Sequence, residues 1–162
     1  MQADQMSLQS AKSSTPNEYM TFILGQMKYA IELPKIRGIL TYPEIITPLP
    51  NTSSWVKGLI NLRGEVVPIL DIRIKFNTGE IVYNDNTAVI AVITSDDRMI
   101  GIVVDKVDDV QKIETDSLSP VSDMGSAIPS KYLKGFVRLE DNQMLVMMDI
   151  ENVVHKSELM KS

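Results

Sequence analysis

Few side chains in this sequence of 162 residues are equipped for chemistry. His155 is the only histidine and cysteine is absent, so a catalytic triad has one available member and there is no thiolate nucleophile. A metal site would have to be built from carboxylates alone. The acidic pairs Asp96-Asp97 and Asp108-Asp109 come nearest, yet neither lies in a loop with the alternating oxygen ligands that hold calcium. Turn chemistry and a solvated face account for both pairs, and His155, next to Lys156, reads as a surface histidine. The chain has no glycine-rich phosphate cradle and no Gly-x-Ser-x-Gly elbow. The expectation is a protein that is not an enzyme and uses neither cofactor nor metal.

Composition narrows the remaining classes. Acidic residues outnumber basic ones by 21 to 16, giving a formal charge of −5 and a pI near 4.9. Such a balance argues against general affinity for nucleic acid or an anionic membrane. Hydrophobic residues make up 44% of the chain and charged ones 23%, enough for a core in one domain or two small subdomains. No apolar stretch follows Met1, so neither a signal peptide nor membrane insertion is expected, and a cytoplasmic protein is the plain reading.

What must be positioned is a single charged tip. Leu59, Ile60 and Leu62, then Val66, Val67, Ile69 and Leu70, form two aliphatic runs that meet at Arg63-Gly64, the pattern of strands buried on much of both faces. Gly64 accepts the positive φ of a tight hairpin and so holds Arg63 out on a short, rigid loop. Pro68 cannot donate to a ladder, so its strand is expected to be an edge there or to carry a bulge.

The pattern recurs. Gly135-Phe136-Val137-Arg138-Leu139 leads through a polar turn into Met144-Leu145-Val146-Met147-Met148-Asp149-Ile150, and upstream Ala30-Ile31-Glu32-Leu33-Pro34-Lys35-Ile36 lines up with Gly101-Ile102-Val103-Val104-Asp105-Lys106-Val107. Two ordered matches at nearly constant offset predict a duplicated β unit. Residues 1–17 read as a disordered tail, and 19–33 as a hairpin turning near Gly25. A short helix is expected at 34–37, ended by Gly38, and an extended Pro-rich connection at 41–54. The polar stretch 77–86 is the expected joint between halves. Strands at 87–94 and 99–105 follow, and 107–113 fits either a bulged strand or a short helix. A long loop at 115–131 precedes the second copy, and 149–160 reads as a terminal amphipathic helix.

Gly58-Leu59-Ile60-Asn61-Leu62-Arg63-Gly64-Glu65-Val66-Val67-Pro68-Ile69-Leu70-Asp71-Ile72-Arg73 closely resembles the signature hairpin of the CheW family of bacterial chemotaxis adaptors. The resemblance spans roughly residues 19–154. It implies a mainly β fold of two five-stranded SH3-like barrels packed together, with short helices including a C-terminal one. The expected division is a CheW-like domain at 18–157, with one barrel at 18–84, a second at 85–148 and the helix at 149–160. Such adaptors are not enzymes. They couple the cytoplasmic tips of methyl-accepting chemoreceptors to the histidine kinase CheA, whose regulatory domain shares the fold, and they are recruited from the cytoplasm to membrane receptor arrays.

The resemblance places Ile36, Gly58, Asn61, Arg63 and Gly64 where the family's receptor- and kinase-contacting residues cluster, and Gly101 and Gly135 at family glycines of the second barrel. One departure stands out: the family often has Val-x-Glu-Ile where this chain has Ile36-Arg37-Gly38-Ile39, so Gly38 replaces a carboxylate at a contact position. This departure keeps open an adaptor of a chemosensory pathway controlling something other than swimming. The CheW-like part of CheV or of CheA is a further reading, but 162 residues leave no room for a receiver or an ATP-binding domain. A small β-barrel binding nucleic acid is the reading from another class, and the acidic balance opposes it.

Overall fold

The structure, a computed structural model, describes residues 17–121 and 128–158. The chain opens on a hairpin of β1 (Asn17–Leu24) and β2 (Met27–Glu32). A 3-10 turn, Leu33–Lys35, leads to β3 (Ile36–Thr41), then to the hairpin of β4 (Val56–Leu62) and β5 (Glu65–Asp71) and to the one-turn helix α1 (Ile72–Phe76). Next come β6 (Ala88–Ile93), β7 (Met99–Val104) and β8 (Lys106–Ile113), then β9 (Leu133–Arg138), β10 (Met144–Met148), α2 (Ile150–Val153) and a 3-10 turn, Lys156–Glu158. Of the expected tail, residues 1–16 lie outside the described residues, and Asn17 is already the first residue of β1.

The strands form two five-stranded sheets, β8-β1-β2-β10-β9 and β3-β6-β7-β5-β4. Each contains one parallel pair, β2 with β10 in the first and β5 with β7 in the second. The mainly β architecture and the duplication are therefore present, but the division into 18–84 and 85–148 is not: each sheet joins a hairpin from one half to three strands from the other. The connections explain why. Only Asp105 separates β7 from β8, too little for a two-residue hairpin turn. The chain therefore cannot fold β8 back onto β7 and runs on to β1, where the Asp105 amide donates to the Ile23 carbonyl at 3.1 Å. Likewise β3 leaves β2 and pairs with β6. The stretch 77–86 is thus no joint between barrels, since α1 before it and β6 after it both serve the second sheet.

Alternation along the strands builds three apolar layers. On β5, Val67 and Ile69 turn toward Val89 and Val103 of their own sheet. Leu70 turns the other way, into a core shared with Ile90 and Ile102 of its sheet and Phe22, Ile31 and Val146 of the other. The first sheet has its own inner cluster around Tyr19, Ala30, Leu145 and Met147. Burial on both faces is what the unbroken aliphatic runs require.

Local departures have local causes. The brief helix expected at 34–37 is a 3-10 helix, Leu33–Lys35, with Pro34 in its first turn; it gives way to β3 at Ile36, so Gly38 lies inside that strand rather than ending the helix. The 107–113 stretch is a strand, with a register shift opposite Met20 and Phe22. Within the expected long loop, 122–127 lie outside the described residues, and Ser119 bridges to Phe136. The expected terminal helix stops at Val153, with Asp149 accepting from the Asn152 amide at its start; the β-branched pair Val153-Val154 favours continuation poorly. Pro68 sits in an interior strand, yet the β5–β7 ladder runs over Ile69–Asp71 only, so its missing N–H falls just before that ladder.

At Gly58 a distant segment passes close against the backbone. The Leu59 amide donates to the Thr47 carbonyl at 2.8 Å and the Thr47 amide to Leu59 at 2.9 Å. A Cβ at position 58, where φ is +140°, would collide with the Thr47 carbonyl. Gly135 repeats the device, with Phe136 and Ser119 exchanging the same two bonds at 2.8 and 2.9 Å. Gly58→Ala is expected to destabilise by about 2 kcal/mol, strain plus loss of this bridge; an unchanged urea midpoint would contradict it.

Candidate partner-binding site

The β4–β5 hairpin ends in a two-residue loop with both residues at positive φ, Arg63 at +54° and Gly64 at +85°. This is the type I′ geometry that matches strand twist, and the Gly64 amide donates to Asn61 Oδ1 at 3.0 Å, bracing the turn. Asn61, Arg63, Gly64, Glu65 and Val66 are exposed, while Ile60 and Leu62 pack against the inner cluster of the second sheet. Asn61 stands opposite Val66, and Val66 is 61% exposed. The tip therefore offers a guanidinium, an amide and a bare β-branched side chain on a rigid arm. Arg63 makes no ion pair among the described residues.

Three of the other candidates, Gly38, Gly101 and Gly58, fall on a line, while Gly135 lies on β9 of the first sheet, opposite Met147. Gly38 stands opposite Ala91, Ala91 opposite Gly101, Gly101 opposite Ile69, and Ile69 opposite Gly58. The line crosses the second sheet from β3 at one outer edge to β4 at the other, with a register shift at each end, where bulges sharpen the bend of a sheet. At Gly101 a Cβ would lie 2.7 Å from both Ile69 Cδ1 and Val89 Cγ1, so its place is filled by its neighbours. Gly58, Gly101 and Gly135 are buried and act through packing. Ile36 and Gly38 are partly exposed on β3, beside Ile39, which is 45% exposed.

A polar cluster missing from the candidate residues locks the two sheets together. Arg73, 1% exposed, grips the fully buried Asp71 with two bonds, Nε and Nη2 each at 2.9 Å. Its Nη1 donates to Asp105 at 2.9 Å and to the Val82 carbonyl at 2.8 Å. Asp105 in turn accepts from the Gly25 amide in the β1–β2 turn at 2.8 Å, so the guanidinium reaches across to the first sheet. Tyr83 covers it, ring centre at 5.0 Å, and donates to Asp71 at 3.2 Å. Burial opposes the Arg73 charge, but the hydrogen bonds and charges of Asp71 and Asp105 outweigh it and raise the pKa above that of an ordinary arginine.

The other copy carries the opposite sign. Asp149-Ile150-Glu151 stands where Asp71-Ile72-Arg73 stands, and Glu151 accepts from Lys35 at 2.8 Å and from the Ser95 amide of the β6–β7 turn at 2.9 Å. Burial works against the Glu151 charge, yet Lys35 and Ser95 hold its carboxyl below the usual range. That inversion between aligned copies is the sequence signal that would have found both locks.

This fold is shared with known proteins. Residues 18–158 match the CheW-like domain model. The chain belongs to the CheW family. It is 35% identical over 149 residues to the chemotaxis protein CheW of Klebsiella aerogenes, covering 92% of this chain and 88% of that one. It is 24% identical over 147 residues to CheW of Treponema pallidum, covering 89% and 85%. The scaffolding protein TtCheW from Thermoanaerobacter tengcongensis shares the fold, with a TM-score of 0.73 at 24% identity, over 82% of this chain and 84% of that structure. In this CheW-family chain no group of three or more potential metal ligands occurs among the described residues. The lone His155 is exposed, its Nδ1 2.8 Å from Ser157 Oγ.

Proposed function

We propose that the chain is a non-enzymatic scaffolding adaptor that couples the cytoplasmic tips of chemoreceptors to the regulatory domain of the histidine kinase CheA. It carries out no reaction; it holds two partners at a fixed distance, which asks for rigidity and exposed contacts rather than titrating groups. The observation that carries the reading is the rigid Asn61–Arg63–Val66 tip on a CheW-family fold. An exposed guanidinium flanked by apolar surface, which loses its water on binding, is typical of residues that dominate protein interfaces. Ile36, Gly38, Asn61, Arg63 and Gly64 are the contacts proposed here, while Gly58 and Gly101 shape the sheet that presents them and Gly135 makes the matching close approach in the other sheet. Among the described residues no helix is long and apolar enough to cross a membrane, and recruitment to membrane arrays from the cytoplasm runs through the receptors.

The reading is tested by titrating the kinase regulatory domain and a receptor signalling-tip fragment separately into the protein by calorimetry. Saturable binding of both is expected; binding of neither contradicts it.

Gly38 favours one variation, an adaptor tuned to a pathway with an output other than swimming. A Cβ at Gly38 meets nothing within 4 Å, and Gly38 is not among the positive-φ glycines. Gly38→Glu should therefore shift melting by little, with a stability change within about 0.5 kcal/mol. Its affinity for receptors or kinase of an ordinary swimming system should rise several-fold. Equal affinities of parent and variant for those partners would count against the specialised reading.

A further inference from the structure

The last described turn, Lys156–Glu158, has no buried residue of its own, so apolar packing does not hold it. What ties it to distant parts of the chain, among the described residues, is one carboxylate. Glu158 Oε1 accepts from Lys75 Nζ at 2.6 Å and from the Tyr132 hydroxyl at 2.8 Å, and Oε2 lies 3.9 Å from Lys131 Nζ. The receiving pocket is far more enclosed than the segment that enters it. The Lys75 side chain is 6% exposed; its Nζ also donates to the Val153 carbonyl at 3.1 Å and lies 4.3 Å from the Trp55 ring centre and 5.0 Å from that of Tyr132. Phe76 closes the floor, its ring 4.9 Å from Tyr132.

The pocket spans the seam between the sheets. Lys75 and Trp55 flank β5 and β4 of the second sheet, and Tyr132 precedes β9 of the first. Burial lowers the Lys75 pKa and the bond from Glu158 offsets it only in part, as expected for an ammonium largely stripped of water. Such a cation needs an anion beside it, because an unpaired buried charge is strongly unfavourable. Removing Glu158 would leave two donors and an aromatic wall aimed at an empty position of carboxylate size.

We infer that Lys75, Tyr132 and Lys131 form a carboxylate-binding site that the chain fills with its own Glu158, making the C-terminal turn a strap across the sheet seam. When the strap leaves, the aromatic face of Trp55, Tyr132 and Phe76 opens beside the base of the β4–β5 hairpin, where the Trp55 carbonyl accepts from the Asp71 amide at 2.7 Å. With Glu158 removed, a carboxylate supplied from outside takes its place.

Trp55 is the only tryptophan, so its emission reports on the pocket. Sodium acetate is titrated into the full-length protein and its Glu158→Ala variant, with sodium chloride at equal ionic strength as the control. The parent should ignore both salts. In Glu158→Ala the emission should start displaced from the parent and return toward it with acetate, saturably, while chloride does nothing; the melting temperature should fall and recover with acetate alone, by linkage. A variant with parental emission, or one that responds equally to the two salts, overturns the inference. If Glu158→Ala does not fold by circular dichroism, the titration is read on Glu158→Gln, which keeps a hydrogen-bonding group for Tyr132. An acetate-specific response there supports the site, and none overturns it.

Discussion

Arg73→Met should lower unfolding free energy by about 3–5 kcal/mol, because it removes the cation from a buried pair and leaves the carboxylate behind. Asp71 is 0% exposed, and it loses both of its short bonds from the guanidinium at once. Asp105 also loses its contact with the other half of the molecule, so the damage should extend to the sheet seam rather than stay near α1. Against a typical total of about 5–15 kcal/mol, such a loss leaves little margin. Arg73→Lys should recover only part of it, since a lysine cannot make the two-pronged grip. Urea unfolding followed by circular dichroism is the measurement. A loss under about 1 kcal/mol for Arg73→Met would mean the cluster is better solvated than its geometry indicates.

Arg63→Glu should do the reverse, sparing the fold and weakening recognition. Arg63 is exposed and makes no ion pair among the described residues, so its replacement should shift stability by no more than about 0.5 kcal/mol. Its backbone already sits at +54°, a cost the glutamate inherits without adding to it. Reversing a charge that meets a partner's carboxylate or carbonyl costs about 2 kcal/mol or more in binding, roughly thirtyfold in Kd. Thermal melting and calorimetric binding to the kinase regulatory domain are read on the same preparation. Intact binding would remove Arg63 from the interface, and a collapsed fold would make it a structural residue.

These two arginines lie ten positions apart by number and differ in how openly the sequence declares them. Arg63 is legible because its cause is local: two aliphatic runs and a following glycine specify a hairpin with an exposed tip. Arg73 stands in the same quoted stretch, yet its meaning depends on Asp105 and on the Gly25 amide, which only the fold brings near. The repeat is legible for the same local reason, as each copy carries its own spacing of glycine, aliphatic pair and Asp-Ile. Which copy's hairpin completes which sheet is not, because that turns on a one-residue connection at Asp105 that forbids a return. The terminal helix shows a third kind of limit. Ile150, Val153 and Val154 are buried as their spacing predicts, but the helix ends early, and the Glu158 latch that orders the next turn depends on Lys75, far away in the chain. Gly58 and Gly135 are conspicuous as copies of one another, while their purpose lies in the distant segments at Thr47 and Ser119 that they let approach.

The most direct test of the proposed function is co-sedimentation of receptor signalling tips with CheA, in the presence and absence of the protein. With the parent chain, kinase should enter the receptor pellet and its autophosphorylation should come under ligand control; with Arg63→Glu, both should fall toward the level seen with no adaptor. Kinase recruitment that is the same with and without the parent protein would contradict the coupling role.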